Sequence, residues 1–332
     1  LYGNAPFIGF INAASYRAYD LEALLYPRNG SEVESFAMLQ NLDRFFVTLN
    51  FKPFDVYIGR QAIAWGAAKV INTSDVNAPF LYTELDTENR IGVDAARLRA
   101  PIGALGELDV GYVAGHDFEF SQSAVFVRAK SYLANMGVTG LLVGFHEHLM
   151  IGADVTRTIG GAGSWLEAAY VFADALGDNR HGACDDYLRL SLGCDYSFPH
   201  DIYAFIEYHY NEPGATDSED YYRIVFGPAY RDGADYLLGK HYLAPGATFQ
   251  ITGLITLLTQ ALVNLTDPSA LLVGTLDYNI SENIYLQFGA YIGAGGRPDL
   301  FIAPFVGTPL LVFNSEFGSY PDTYYTSFRV YF

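Results

Sequence analysis

The chain has 332 residues, 51% of them hydrophobic and only 17% charged, with 26 Tyr, 24 Phe and 33 Gly. That charged fraction lies below the roughly one quarter typical of soluble domains. The net charge of −18 argues against nucleic acid as a partner, because phosphate binding needs clustered Lys and Arg.

Taken in chain order, the sequence alternates apolar and polar residues with a period of two, the signature of half-buried strands. The pattern marks 7–18, 44–52, 54–65, 90–101, 105–115, 121–131, 138–147, 149–158 and 163–173. The parity slips near Arg60 and Asp94, which a β-bulge would explain. Residue 1 leads directly into a strand-like run, so the chain reads as mature or trimmed of any signal peptide. In Tyr187–Phe198 the even positions are Leu188, Leu190, Leu192, Cys194, Tyr196 and Phe198. The odd ones are Arg189, Ser191, Gly193, Asp195 and Ser197. Strands follow at 201–211 and 233–243. From 242 to 266 no residue is charged, long enough for a membrane helix. Yet "TFQITGLITLLTQALVN" keeps its polarity at even positions, so it reads as one long strand. Further strands are expected at 269–280, 284–292 and 324–332.

The connections alternate in length, except near 116–120, 147–149 and 265–268, which are short where the pattern wants long. Short ones fall near 52–53, 101–104, 132–137, 159–162, 199–200, 244–246 and 281–283. Long ones fall at 19–43, 66–89, 174–185, 212–232 and 294–321. About sixteen strands (14–18) place both termini on the short-turn side. That predicts an all-β fold: one transmembrane antiparallel up-and-down β-barrel over 1–332, with short periplasmic turns and long extracellular loops. A barrel in a bilayer must close, so the last strand is expected to pair with the first.

The ending "YYTSFRVYF" puts Phe332, Val330 and Phe328 on one face and Arg329 on the other. It resembles the C-terminal signature of bacterial outer-membrane β-barrels. In that family the last strand, here Phe328, Val330 and Phe332, is read by the barrel-insertion machinery. "GRQAIAWG" (59–66) with "NTSDVNAPF" (72–80) is similar to a segment of porin-like proteins of uncertain substrate. The resemblance implies a signal peptide, a place in the bacterial outer membrane among lipid and lipopolysaccharide, and, as often in that family, a homo-trimer.

Sixteen strands leave an aqueous lumen. The inward parity carries the basic residues Arg44, Lys52, Arg97, Arg99, Arg128, Lys130 and Arg329. It also carries the acidic residues Glu107, Asp109, Asp154, Glu167, Asp195, Glu207 and Asp277. Two readings stand: opposed charged walls that set a transverse field, or charges that solvate and pair within a wide bore. The loops are acidic, at Glu84, Asp86, Glu88, Asp174, Asp178, Asp185, Asp186, Glu212, Asp217, Glu219 and Asp220, without EF-hand spacing. The stretch "LEALLYPRNGSEVESFAMLQ" is mildly helical and could fold inward or cap the surface.

His146, Glu147 and His148 would place two imidazoles on one strand face, a weak metal signal. Cys184 and Cys194 lie roughly 30 Å apart on a straight strand and are expected to be unpaired. GxSxG, GxGxxG and P-loop motifs are absent, and no cofactor is implied. The sequence reads as a non-enzymatic channel for passive diffusion of small polar solutes or ions. The alternative is a barrel that sheathes a partner, such as a periplasmic or extracellular electron-transfer protein.

Overall fold

Alternation becomes strand wherever backbone pairing follows it. The computed structural model describes residues 16–19, 24–26, 38–39, 42–76, 92–177, 185–232, 235–302 and 309–331. A small hairpin joins β1 (Leu24–Tyr26) to β2 (Met38–Leu39). The main sheet begins with β3 (Phe45–Asn50), β4 (Asp55–Gln61), β5 (Val93–Ile102), β6 (Gly106–Val113), β7 (Ala124–Leu133) and β8 (Met136–Phe145). It continues through β9 (His148–Ile159), β10 (Ala162–Phe172), β11 (Tyr187–Phe198) and β12 (Ile202–Asn211). Two short helices, α1 (Tyr221–Val225) and α2 (Pro228–Arg231), interrupt it before β13 (His241–Thr252). Then come β14 (Ile255–Asn264), β15 (Ser269–Ser281) and β16 (Ile284–Ala294). A second hairpin, β17 (Asp299–Ile302) with β18 (Pro309–Val312), precedes β19 (Thr323–Val330).

Fifteen strands form one sheet in chain order, β3 to β16 and then β19, every pair antiparallel. Among the described residues β3 and β19 are its two edges. The expected seam between the first and last strands falls on 7–15 and Phe332, outside the described residues. Residues 16–18 are irregular rather than strand.

Four expectations need correction. The strand expected at 54–65 leaves the sheet after Gln61. The single strand expected at 249–264 is a hairpin, turning at Gly253 and Leu254. A register irregularity between Gln250 and Thr252 adds one residue beside the turn. It restores the even parity on the far side (Gln250 opposite Thr256), so the alternation reads straight through the bend. The expected strand at 233–243 accordingly starts only at His241. The slip at Arg60 is not a register shift either: pairing runs unbroken from Asp55↔Arg99 to Gln61↔Val93. Instead Gly59 takes φ +124, a conformation open to glycine, and a Cβ there would meet Phe45 O at 2.4 Å.

One face of the sheet is apolar and exposed: Val110, Val127, Leu142, Ile151, Leu166, Leu192, Ile206, Leu272, Phe288, Phe328 and Val330 all point there. The other carries Arg97, Asp109, Glu167, Ser191, Glu207 and Asp277, placed together by the cross-strand register. The sheet curls around this polar face. A flat sheet with strands ~4.8 Å apart would separate β4 from β16 by roughly 60 Å. Yet Gln61 bonds β5, Ala67 bonds β10 and Ile71 N bonds β12, while Ile71 packs in one cluster with Tyr291 of β16.

On the inner face, aromatic rings lie over cross-strand glycines. A Cβ at Gly193 would sit 2.3 Å from the Trp165 ring, one at Gly246 2.3 Å from Phe205, and one at Gly289 2.0 Å from Tyr325. Each is a directly opposed pair. Overpacking a well-filled site costs ~1–3 kcal/mol. Gly193→Ala and Gly246→Ala are therefore expected to lower the urea midpoint of the folded chain on cold gels. Unchanged midpoints would mean the rings are free to move aside.

Candidate functional site

Beyond Gln61 the chain turns off the wall and runs along the inner face as segment 62–76. Ile63, Trp65, Ile71 and Val76 are buried there, and Thr73, Ser74 and Asp75 are buried with them. An irregular backbone in such a place must find partners for its N–H groups. Two wall carboxylates supply them. Glu167 on β10 accepts from Ala67 N (2.8 Å), Ala68 N (2.9 Å), Ser74 N (2.9 Å), Ser74 Oγ (2.7 Å) and Thr73 Oγ1 (3.2 Å). Glu207 on β12 accepts from Lys69 N (2.7 Å), Ile71 N (2.8 Å), Val70 N (3.2 Å) and Trp165 Nε1 (2.9 Å). Hydrogen bonds to a charged acceptor are roughly twice as strong as neutral ones, so the two glutamates fix the segment to the wall. Ser191 Oγ on β11 adds a bond to Ile71 O at 2.7 Å.

Close approach at the first bend requires glycine. Gly66 has φ +107, and a Cβ would meet Asn72 Oδ1 at 2.4 Å and Glu167 Oε2 at 2.6 Å. Farther on, the Ile71 side chain packs with Leu237, Tyr242, Leu262, Leu271 and Phe317. Segments 235–239 and 313–320 therefore also reach the inner face at the long-loop end. The inner face toward the short turns is more open, with Lys130, Ser197 and Gln250 exposed.

Lys69 points from the segment toward that open half. Its Nζ lies 3.0 Å from Asp195 Oδ2 and 5.3 Å from the centroids of both the Trp165 and Tyr203 rings. The Tyr203 hydroxyl donates to Asp195 at 2.9 Å. At the entry to the segment, Arg60 is 5% exposed. Its Nε and a terminal nitrogen bond Asp94 at 2.8 and 3.0 Å, and its guanidinium also reaches the Leu42 and Tyr19 carbonyls.

The basic and acidic residues expected to line a pore fall as follows. On β5–β7 they interleave rather than face each other: Arg97 bonds Asp109, Arg99 bonds Glu107, and Arg128 reaches Glu107 at 3.4 Å. Lys130 stands opposite Glu107 and Thr139. Asp154 sits opposite Thr139 and Glu167. Asp277 accepts from Gln287 at 2.7 Å, and Arg329 lies opposite Tyr285. Arg44 pairs with Asp43 at 3.4 Å just before β3, and Lys52 sits exposed in the β3–β4 turn. Opposed walls of one sign are not what the ion pairs on β5–β7 form. Phe328 and Val330 are exposed on the apolar face, and Phe332 is outside the described residues.

Sequence reading missed Arg60, Asp94, Lys69 and the roles of Glu167 and Glu207. Only the parity slip at Arg60 and Asp94 hinted at the first two. His146 and His148 do not share a strand face: His146 has φ 49 in the β8–β9 turn and stacks near Tyr16. His148 accepts from Asp174 N at 3.1 Å. Of the acidic loop residues, Glu84, Asp86, Glu88 and Asp178 lie outside the described residues. Asp186 accepts from Ala173 N at 3.0 Å and Glu212 from Leu188 N at 2.7 Å. Among the described residues no group of three or more His, Cys, Asp or Glu is arranged to hold a metal ion. Cys194 is a free, exposed thiol, and Cys184 is outside the described residues. The stretch at 19–43 shows only the β1–β2 hairpin among its described residues.

No protein-family model matches the chain, and no curated protein matches it. Among solved structures it is similar to the crystal structure of Acinetobacter baumannii OccAB4. The TM-score is 0.48 and the identity 9%, over 75% of this chain and 69% of that chain.

Proposed function

We propose that this chain is a bacterial outer-membrane channel of the porin-like kind, narrowed from within by segment 62–76. The observation that carries the reading is the two-faced curled sheet. Exposed apolar patches beyond a few hundred Å² do not persist on soluble monomers, and here one face of the main sheet is apolar and exposed along its strands. Strands of 8–13 residues, such as Gly106–Val113 and Ser269–Ser281, suit the ~9–11 residues a tilted strand needs to cross a bilayer. A polar inner face with a half open toward the short turns suits passive diffusion of small polar solutes or ions. Lipid, lipopolysaccharide, the insertion machinery and sister copies are the partners this reading brings with it.

The test is single-channel recording of the folded protein in planar bilayers. Discrete ohmic steps are expected, and folded protein that passes no current at any voltage would sink the proposal. Lys69 is the cation nearest the open half on segment 62–76. Lys69→Glu is expected to shift the permeability ratio toward cations by about twofold or more, read from reversal potentials in a salt gradient. A sheath for a threaded electron-transfer protein is less favoured, because segment 62–76 already occupies the inner face. No covalent chemistry is assigned: Ser191 and His209 meet at 2.9 Å, but both are buried and the serine hydroxyl donates to Ile71 O.

A further inference from the structure

Segments 235–239 and 313–320 close over the tip of segment 62–76, and both hang on one buried polar knot. Glu316 is 1% exposed and Asp267, in the β14–β15 turn, 8%. Glu316 Oε1 accepts from Leu238 N at 2.9 Å, and Oε2 from the Tyr242 hydroxyl at 2.6 Å and Asn264 Nδ2 at 2.7 Å. Asp267 Oδ2 accepts from the Tyr221 hydroxyl at 2.7 Å, Glu316 N at 2.8 Å and the same Asn264 amide at 3.3 Å. Ser269 Oγ donates to Asp267 Oδ1. Two carboxyl groups thus share one amide donor in a buried site.

We propose that Glu316 and Asp267 form a proton-dependent latch. With one proton on Glu316 the pair holds segments 235–239 and 313–320 down. Loss of that proton releases them from the inner face. The titratable groups facing Glu316 are Asp267 from the turn, Tyr221 from α1, Tyr230 from α2 and Tyr242 from β13. All are neutral or negative. Among the described residues no Lys or Arg forms an ion pair with either carboxylate. A second buried negative charge is therefore offset only by neutral hydrogen-bond donors, which do not outweigh the burial.

What the latch holds is the lid itself. Leu237 and Phe317, one from each segment, are fully buried against Ile71 in one cluster with Tyr242. Burial, with Asp267 alongside, pushes the Glu316 carboxyl up to about 8. An acid whose pKa is higher in the docked than in the released state favours docking most at low pH. That preference is lost progressively as pH rises from the ordinary glutamate value of 4.5 toward 8, and is flat above it.

The experiment follows Ser315→Cys, a 1% exposed position beside Glu316, in protein lacking Cys184 and Cys194. Thiol labelling is measured between pH 6 and 9 in folded protein. The same variant carrying Glu316→Gln corrects for the thiol's own ionisation. The ratio of the two rates is expected to rise on the order of tenfold or more across that range. A flat ratio overturns the latch. Where Glu316→Gln does not fold, Asp267→Asn serves, since removing the neighbouring charge lowers the Glu316 carboxyl and should make the rise level off at lower pH; an unmoved rise likewise overturns it. The effect on current rests on the channel reading, whereas labelling does not. Labelling that rises with pH while bilayers carry no current would uphold the latch and remove the channel.

Discussion

Replacing Glu167 and Glu207 together by alanine is expected to raise single-channel conductance several-fold while leaving the sheet assembled. The reason is arithmetic of donors. Glu167 alone satisfies Ala67 N, Ala68 N, Ser74 N, Ser74 Oγ and Thr73 Oγ1. A buried donor left without a partner costs ~1–3 kcal/mol, so a docked segment lacking both glutamates would carry an energy it can shed by leaving the wall for water. The strands have their own ladder and do not depend on these side chains. Glu167→Gln should open the channel nearly as well, because half of its acceptors become N–H donors aimed at other donors. The measurement is conductance per channel at fixed salt, with the heat-shifted gel band as a control for folding. Unchanged conductance in the double variant would show that segment 62–76 does not set the width of the path.

Removing one side of the Arg60–Asp94 pair is the second large effect. Arg60 is 6% exposed in its side chain, and its contacts include two to Asp94 and one each to the Leu42 and Tyr19 carbonyls. Asp94 also accepts from Ala18 N at 3.0 Å. Breaking a fully buried pair by deleting one partner costs ~3–5 kcal/mol; here the Asp94 side chain is 22% exposed, so the loss falls below that range. Arg60→Ala and Asp94→Ala should each reduce the folded fraction and make the 16–19 segment susceptible to protease. The double variant Arg60→Ala/Asp94→Ala should recover part of the loss. If the double variant is no better than either single one, the carbonyl contacts rather than the ion pair dominate.

The strands were legible because the two faces of the sheet, one apolar and exposed and the other polar, put opposite chemistry on alternate residues. Arg189, Ser191, Gly193 and Asp195 against Leu188, Leu190, Leu192 and Cys194 need no structure to interpret. The hairpin at Gly253 was not legible, because the irregularity beside it cancels the parity change that would have announced a turn. Segment 62–76 was hidden for a different reason. Glu167 and Glu207 fell on the inward list, but most of their partners are backbone N–H groups at 67–71 and 74, which every residue type except proline offers. No side-chain pattern encodes such a contact. "GRQAIAWG" stood out by resemblance, and its physical content is the turn from the wall onto the polar inner face: Gly59 and Gly66 at positive φ, with Arg60 fixing the entry.

Segment 62–76 also has a place in time. It is made early, yet its anchors come late: Ala67 reaches across 100 positions to Glu167, and Lys69 across 138 to Glu207. Contacts of such separation form slowly. Strands added one after another from β4 would leave this stretch unheld until β12 is in the wall, and Ile71 without its full cover until β16 and Phe317 arrive. If the chain is the channel proposed above, the narrowing of its path would be among the last events of assembly, and an unfinished sheet would be a leaky one.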